Sequence, residues 1–170
     1  IMNYEKIILG TGCFWCTEAL FRTLEGVNKV TPGYCGGTEE TVTYQEVCTG
    51  QTEFIEVVEL YYDSNVLKLY DIINFFFKIH DPTTFERQGN DVGKQYSSVI
   101  FYKDEKTKNV IEQIIVNNQI KYKNKIVTKI LKEKNFVVAE NAHQNFYSLN
   151  ENHPYCQFVI KPKLNKIEKK

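Results

Sequence analysis

The chain has 170 residues, and its 21 lysines and arginines equal its 21 aspartates and glutamates, so its formal net charge is zero. This balance argues against nucleic acid or an anionic membrane surface as a partner, and no apolar run reaches the length of a membrane span. The N-terminal residues also lack the apolar core of a secretory signal, so we expect a cytoplasmic protein. We further expect a monomer, with one domain over residues 1–160 and a basic, mobile tail over residues 161–170.

The residue patterns alternate between strand and helix along the chain, which predicts an α+β fold. We expect a two-layer sandwich, in which a mixed β-sheet carries helices on it around a ferredoxin-like (split βαβ) core. The predicted elements are strand Lys6–Leu9, helix Cys13–Leu24, strands Val27–Gly37 and Phe54–Tyr62, helix Leu67–Ile79 capped at Asp63-Ser64, a loop from Asp81 to Gly93, strand Ser98–Tyr102, a helix from Asp104 to about Ile120, a strand near Ile126–Ile130, a short helix near Ala142–Leu149 and strand Cys156–Ile160.

A reactive cysteine is predicted where the first strand gives way to the first helix, in Gly12-Cys13-Phe14-Trp15-Cys16. Unpaired N–H groups and the positive end of a helix dipole favour a thiolate in the first turn, and the thiolate is the nucleophilic form of cysteine. Phe14 and Trp15 follow directly and could wall an apolar pocket beside the sulfur. The pattern therefore favours nucleophilic chemistry at Cys13.

A carboxylate lies on an apolar strand face. Alternation along Phe54–Tyr62 places Glu56 on the same face as Phe54, Val58 and Leu60. Either this is an edge strand where Glu56 reaches water, or Glu56 is a desolvated acid that holds its proton near neutral pH. Three further polar candidates, for which a surface turn is the alternative reading, lie in loops: Tyr44, Asp91 and Tyr96.

Several ordered motifs of the chain resemble the A family of methionine sulfoxide reductases. They cover nearly the whole chain apart from the basic tail. The matching strings are Gly12-Cys-Phe-Trp, Gly33-Tyr-x-Gly-Gly37, Thr43-Tyr-x-Glu-Val-Cys48, Glu56-Val-Val, His80-Asp-Pro-Thr83, Arg87-Gln-Gly-Asn-Asp91, Gly93-x-Gln-Tyr96 and His143-Gln.

The resemblance implies reduction of the S epimer of methionine sulfoxide, free or in peptides, through a sulfenic acid that a second thiol resolves and thioredoxin recycles. It implies no metal and no cofactor. The implied roles are Cys13 as nucleophile, Glu56 as proton donor to the departing oxygen, Tyr44 and Tyr96 as hydrogen-bond donors to that oxygen, Asp91 as an ordering group, and Phe14 and Trp15 as the walls that hold the S-methyl group.

The sequence leaves two candidates for the second thiol, because the chain departs from the common family pattern. Cys16 stands where the family usually has glycine, which creates a C-x-x-C motif, and Cys156 resembles the family's C-terminal resolving cysteine. We favour Cys156, since a mobile segment can reach the site without distorting a helix. Cys35 and Cys48 are interpreted as structural.

Two other functions are compatible with part of the sequence. One is a general thiol–disulfide oxidoreductase that uses Cys13 and Cys16, but that function needs neither Glu56 nor Asp91. The other is a zinc module built from Cys13, Cys16, Cys156 and a histidine, although Cys156 has no neighbouring cysteine to complete a second ligand couple.

Overall fold

A computed structural model describes residues 3–168. It contains a mixed six-stranded sheet in the order β7-β6-β1-β3-β2-β8. These strands are β1 (Tyr4–Thr11), β2 (Val27–Cys35), β3 (Ile55–Asp63), β6 (Ser98–Tyr102), β7 (Lys129–Lys132) and β8 (Val137–Val138), while β4 (Arg87–Gln88) and β5 (Asp91–Val92) form a separate hairpin. The α-helices are α1 (Phe14–Phe21), α2 (Tyr44–Cys48), α3 (Leu69–Lys78), α4 (Glu105–Gln119), α5 (Phe146–Leu149) and α6 (Lys161–Glu168).

The four central strands confirm the predicted ferredoxin-like core. They lie in the order β6-β1-β3-β2 and pair antiparallel, with α1 connecting β1 to β2 and α3 lying between β3 and β6 in the chain. The sheet is mixed because β7 pairs parallel to β6. Each helix therefore crosses between strands that are not sheet neighbours, as a split βαβ arrangement requires.

The helices lie on one face of the sheet, which confirms the two-layer sandwich. The main core cluster contains buried residues of α1, α3 and α4 together with Val58 and Leu60 of β3. A smaller cluster lies on the opposite face and includes Ile55 and Val57. Because both faces of β3 are covered, its buried residues form a nearly continuous run instead of a clear alternation.

Two predicted helix starts had different outcomes. Asp104 caps α4 as predicted, since its carboxylate accepts the N–H of Thr107 at 2.8 Å. The predicted cap at Asp63-Ser64 is wrong, because Asp63 ends β3 and its carboxylate accepts the N–H of Asn65 in a turn. α3 begins later, where Asp71 reaches back to accept the N–H of Lys68 at 2.9 Å.

The C-terminal region differs most from the prediction. The predicted strand Cys156–Ile160 is a π-helical turn, in which Cys156 and Ile160 are buried. The tail expected to be mobile is helical over Lys161–Glu168, and its Leu164 and Ile167 pack against the main core. The residues that face the core, Cys156, Ile160, Leu164 and Ile167, are spaced by four, four and three positions. This is helical spacing, which explains why the predicted strand and the predicted mobile tail are both helical. Residues 169–170 of the expected tail lie outside the described residues.

Within residues 3–168, no helix is long and apolar enough to cross a membrane.

Candidate active site

Cys13 lies at the point where β1 ends and α1 begins. Its carbonyl accepts the N–H of Cys16 at 3.1 Å and of Thr17 at 3.2 Å, so it forms the first turn of the helix. Gly12 before it adopts a φ of +113°, and a Cβ there would lie 2.8 Å from Cβ of Gln88. A glycine is needed at this position because the chain turns sharply under another side chain. The turn leaves the Cys13 side chain partly exposed.

Glu56 lies beneath the start of α1 and is buried, as the desolvated-acid interpretation required. Its Oε1 accepts the N–H of Phe14 at 3.0 Å, while Oε2 has no hydrogen-bond partner among residues 3–168. Burial raises the pKa of Glu56 to about 8, the Phe14 N–H opposes this rise, and the charge of Asp91 adds to it. The carboxyl group is therefore mostly protonated near neutral pH and has one oxygen available for a further hydrogen bond.

The expected stabilisation of a Cys13 thiolate by the helix dipole is wrong for the free protein. The pKa of Cys13 is raised well above its ordinary value, first by burial and then by the nearby charge of Glu56. A hydrogen bond from the Trp15 N–H and one from the Tyr155 hydroxyl oppose the rise without cancelling it. Desolvation thus outweighs the helix terminus, and the resting site contains a thiol beside a carboxylic acid.

The predicted polar loop residues surround this pair. Burial raises the pKa of Tyr44 and of Tyr96, and the charge of Glu56 raises both further, which places the two phenols near the carboxyl group. Asp91 lies on the same side, where its Oδ2 accepts the Tyr155 hydroxyl at 2.7 Å. The structure therefore brings Tyr44, Tyr96 and Asp91 together around Glu56.

The two aromatic residues after Cys13 differ in exposure. Phe14 is completely buried and packs against the rings of Tyr34 and His143, so it forms the floor beneath the site. Trp15 is partly exposed and stacks on Phe146 with ring centroids 3.7 Å apart. Its Nε1 donates to Nδ1 of His143 at 2.9 Å. Trp15 is therefore the apolar wall beside the sulfur.

The two candidate resolving cysteines are both buried and both belong to the main core cluster. Cys16 lies one helical turn from Cys13, and Cys156 lies in the π-helical turn that packs against α1. Cys35 donates to the carbonyl of Lys134 at 3.0 Å on the other face of the sheet, whereas Cys48 is exposed beside Tyr44.

Two residues at the site were missed by sequence reasoning. Tyr155 contacts the polar side of the site through Asp91, although only its position before Cys156 could have indicated this. Glu140 accepts the Tyr34 hydroxyl at 2.7 Å and the Tyr44 N–H at 2.8 Å, so it positions Tyr44. No sequence signal marks Glu140, since it lies in a loop far from its partners along the chain.

The chain as a whole matches a known protein family. The family model described as peptide methionine sulfoxide reductase matches residues 5–170. The chain belongs to the peptide methionine sulfoxide reductase family. A relative from Sulfolobus acidocaldarius, the peptide methionine sulfoxide reductase MsrA, is 46% identical over 165 residues, which are 97% of this chain and 94% of the relative.

Solved structures of the reductase family share the fold. Mxr1 from Saccharomyces cerevisiae in reduced form matches with a TM-score of 0.87 and 36% identity over 91% of this chain and 90% of that one. Mxr1 in complex with Trx2 matches with a TM-score of 0.62 and 27% identity, covering 85% of each chain. The α+β core is thus that of a methionine sulfoxide reductase fold.

Glu56 is expected to lower stability at neutral and alkaline pH. Its pKa is about 8 in the folded protein and 4.5 ordinarily, so the folded state binds more protons between these values and stability falls as pH rises through this range. Glu56→Gln removes the cost of ionising this buried carboxyl group. It should increase the free energy of unfolding by on the order of 3 kcal/mol at about pH 8.5 and should change it little at about pH 4.5. Urea unfolding at both pH values measures this. Glu59→Gln on the same strand is the control, and a difference independent of pH would contradict the assignment.

Tyr155→Phe is expected to loosen the C-terminal segment over the site. It removes the hydrogen bond to Asp91, which is worth about 1 kcal/mol. Amide hydrogen exchange over residues 153–160 should then become roughly fivefold faster, while exchange in β3 stays unchanged. Tyr147→Phe on α5 is the matched control. Equal exchange in the two variants would show that the Tyr155 hydroxyl does not hold the segment.

Proposed function

We propose that the chain reduces methionine S-sulfoxide, free or within peptides and proteins, to methionine by oxygen transfer to Cys13. The observation that carries the proposal is the pairing of a partly exposed thiol with a buried carboxyl group. This carboxyl group is mostly protonated, and its Oε2 has no hydrogen-bond partner in the described part of the chain. A sulfoxide oxygen is a strong hydrogen-bond acceptor, and an acid beside it makes the sulfur more electrophilic. The pair thus supplies both the nucleophile and the acid that this reaction needs.

The sulfur of Cys13 attacks the sulfoxide sulfur, and Glu56 gives its proton to the sulfoxide oxygen. The oxygen ends on Cys13 as a sulfenic acid, and methionine leaves with its sulfur reduced. The thiol proton of Cys13 replaces the one that Glu56 donated. The electron pair lost by Cys13 is the pair gained by methionine, so this first step needs no outside reductant.

The surrounding residues stabilise and orient the substrate. Tyr44 and Tyr96 direct phenolic hydroxyls to the oxygen as it gains charge, and Asp91 fixes the polar side through Tyr155. Trp15 holds the S-methyl group above the floor formed by Phe14. Placing the oxygen toward the phenols and the methyl group toward the indole selects one epimer at sulfur.

Recycling requires a second thiol and an external dithiol. Cys16 or Cys156 condenses with the sulfenic acid to give a disulfide and water, and thioredoxin restores the thiols by exchange. The complex of the related Mxr1 with Trx2 supports this partner. Five free cysteines support a reducing, cytoplasmic location.

The decisive test is turnover of separated S and R epimers of a methionine sulfoxide peptide with dithiothreitol as reductant. We expect loss of the S epimer alone. Loss of neither epimer, together with reduction of insulin disulfides, would instead assign the chain to general thiol–disulfide exchange at Cys13 and Cys16.

A further inference from the structure

A cavity of about 570 Å³ lies between the end of α3, the loop that follows α4, and α6. Its volume is in the range of sites that hold small organic ligands. Within the described part of the chain, the cavity wall includes none of the residues to which sulfoxide reduction is assigned. Whatever this cavity holds is therefore separate from the substrate of the proposed reaction.

The wall of this cavity, called the lysine cavity below, carries a surplus of positive charge. Lys78 ends α3, Lys123 lies in the loop after α4, and Lys163 and Lys166 belong to α6. Asp81 is the one carboxylate among the described residues that line it. Four lysines against one aspartate concentrate three positive charges in a chain whose formal net charge is zero.

A second cleft of the protein shows that such a surplus is not general. This cleft lies beside β1 and the start of α4, and three lysines in its wall are matched by three carboxylates. The six residues are Lys6, Lys103, Lys106, Glu5, Asp104 and Glu133. Charge is balanced within that cleft, whereas the lysine cavity leaves most of its charge without a counterpart.

The lysines of the cavity are not neutralised by carboxylates in its surroundings. Lys123, Lys163 and Lys166 form no ion pair among residues 3–168. The Asp81 carboxylate is engaged within its own loop, where Oδ1 accepts both the N–H of Thr83 at 2.9 Å and the Thr83 hydroxyl. Several ammonium groups are thus available to a ligand with negative charge.

The end of α3 does not account for these lysines. Cations are often found at the end of a helix because the last carbonyl groups lack partners there. In α3, however, the Phe76 carbonyl accepts Nδ1–H of His80 at 2.6 Å, and the Phe77 carbonyl accepts the Tyr122 hydroxyl at 3.0 Å. These carbonyl groups are satisfied without a lysine, so the surplus charge needs another explanation.

We propose that the lysine cavity binds an oligophosphate, a ligand with two or more linked phosphate groups, either inorganic or as part of a nucleotide. Lysine binds phosphate oxygens as a point charge, and the four ammonium groups come from three separate elements around one cavity. Leu20, Ile79 and Ile167 add an apolar surface that a nucleoside can cover. The proposal does not depend on the proposed function.

Binding should stabilise the C-terminal helix. A ligand held by Lys166 of α6 and Lys123 of the loop joins two parts of the fold that lie far apart in the chain. α6 follows directly on the turn Cys156–Ile160, so fixing the helix also restricts this turn. Because the ligand binds only the folded arrangement, it should slow amide hydrogen exchange over residues 161–168.

Calorimetric titration of the wild-type protein with tripolyphosphate, ATP and citrate tests the ligand class. The titrations are made without Mg²⁺ at about 0.15 M salt, where screening suppresses long-range attraction. We expect one site per chain for tripolyphosphate and for ATP. Equal affinities would show that the phosphate chain alone is bound, and tighter binding of ATP would add a nucleoside contact with the apolar surface. Citrate that binds as tightly as tripolyphosphate would overturn the assignment to phosphate.

The double variant Lys123→Gln/Lys166→Gln tests the location. Both lysines are exposed, so the fold should be kept, and the Kd for tripolyphosphate should rise by at least about tenfold. Lys103→Gln/Lys106→Gln is the matched control, because it removes the same charge from the balanced cleft. Its Kd should stay within about twofold of the wild-type value.

Two outcomes would overturn the site. One is equal weakening in the two double variants, which would show attraction to net charge alone. The other is the absence of both heat and slowed exchange over residues 161–168 when tripolyphosphate is added to the wild-type protein at about millimolar concentration, which would place its Kd above the range of a specific ligand. Circular dichroism of each variant checks the fold.

Discussion

Cys13→Ser is expected to reduce the first-turnover yield of methionine by at least about a thousandfold, to the level of the uncatalysed reaction. A serine hydroxyl is a far weaker nucleophile near neutral pH, and its oxygen cannot accept the sulfoxide oxygen to form a sulfenic acid. Substrate consumption in the absence of reductant isolates this step from recycling.

Cys35→Ser is the control for the loss of any one thiol, because Cys35 packs on the opposite face of the sheet. It should retain the wild-type yield. Comparable unfolding curves for the two variants would show that the loss in Cys13→Ser is chemical. A Cys13→Ser protein that still releases one equivalent of methionine would place the nucleophile elsewhere.

Glu56→Gln should slow sulfenic acid formation by roughly a hundredfold to a thousandfold below about pH 7, because the amide keeps the shape of the carboxyl group but cannot give up a proton. In the wild-type protein the proton is lost as pH rises through the Glu56 pKa of about 8. The ratio of the wild-type rate to the variant rate should therefore be largest at low pH and should decrease above about pH 8.

Glu59→Gln serves as the matched control, since Glu59 lies on the same strand but near the Lys6 ammonium, with 3.7 Å between the charged atoms. Its rate profile should follow that of the wild-type protein. A Glu56→Gln profile that stays parallel to the wild-type profile at all pH values would show that Glu56 orders the site without donating a proton.

The sequence predicted the elements with a strong local signal. Ser98–Tyr102 is a strand at the predicted bounds, because its run of large apolar residues is bounded by polar ones. The position of Glu56 on an apolar face followed from simple alternation, and the structure buries this side chain as expected. Such features depend on residues close together in the chain, so they can be read before the fold is known.

The features that were missed depend on contacts between distant segments. Cys156–Ile160 looks like a strand, but its burial is decided by packing against α1 and by the helix that follows. Glu140 and Tyr155 reach the site only because the C-terminal region folds back over it. The sign of the Cys13 pKa shift likewise required knowing that the fold buries this thiol and places it near the charge of Glu56.

The packing of Trp15 provides an optical probe of the catalytic cycle. It is the only tryptophan in the chain, and it stacks on Phe146 while its indole N–H is bonded to His143. Both partners belong to the segment that leads to Cys156. When that segment moves, the environment of the indole changes and so does its emission. Stopped-flow fluorescence of the unlabelled protein can therefore time the motion of the C-terminal segment separately from the chemistry at sulfur.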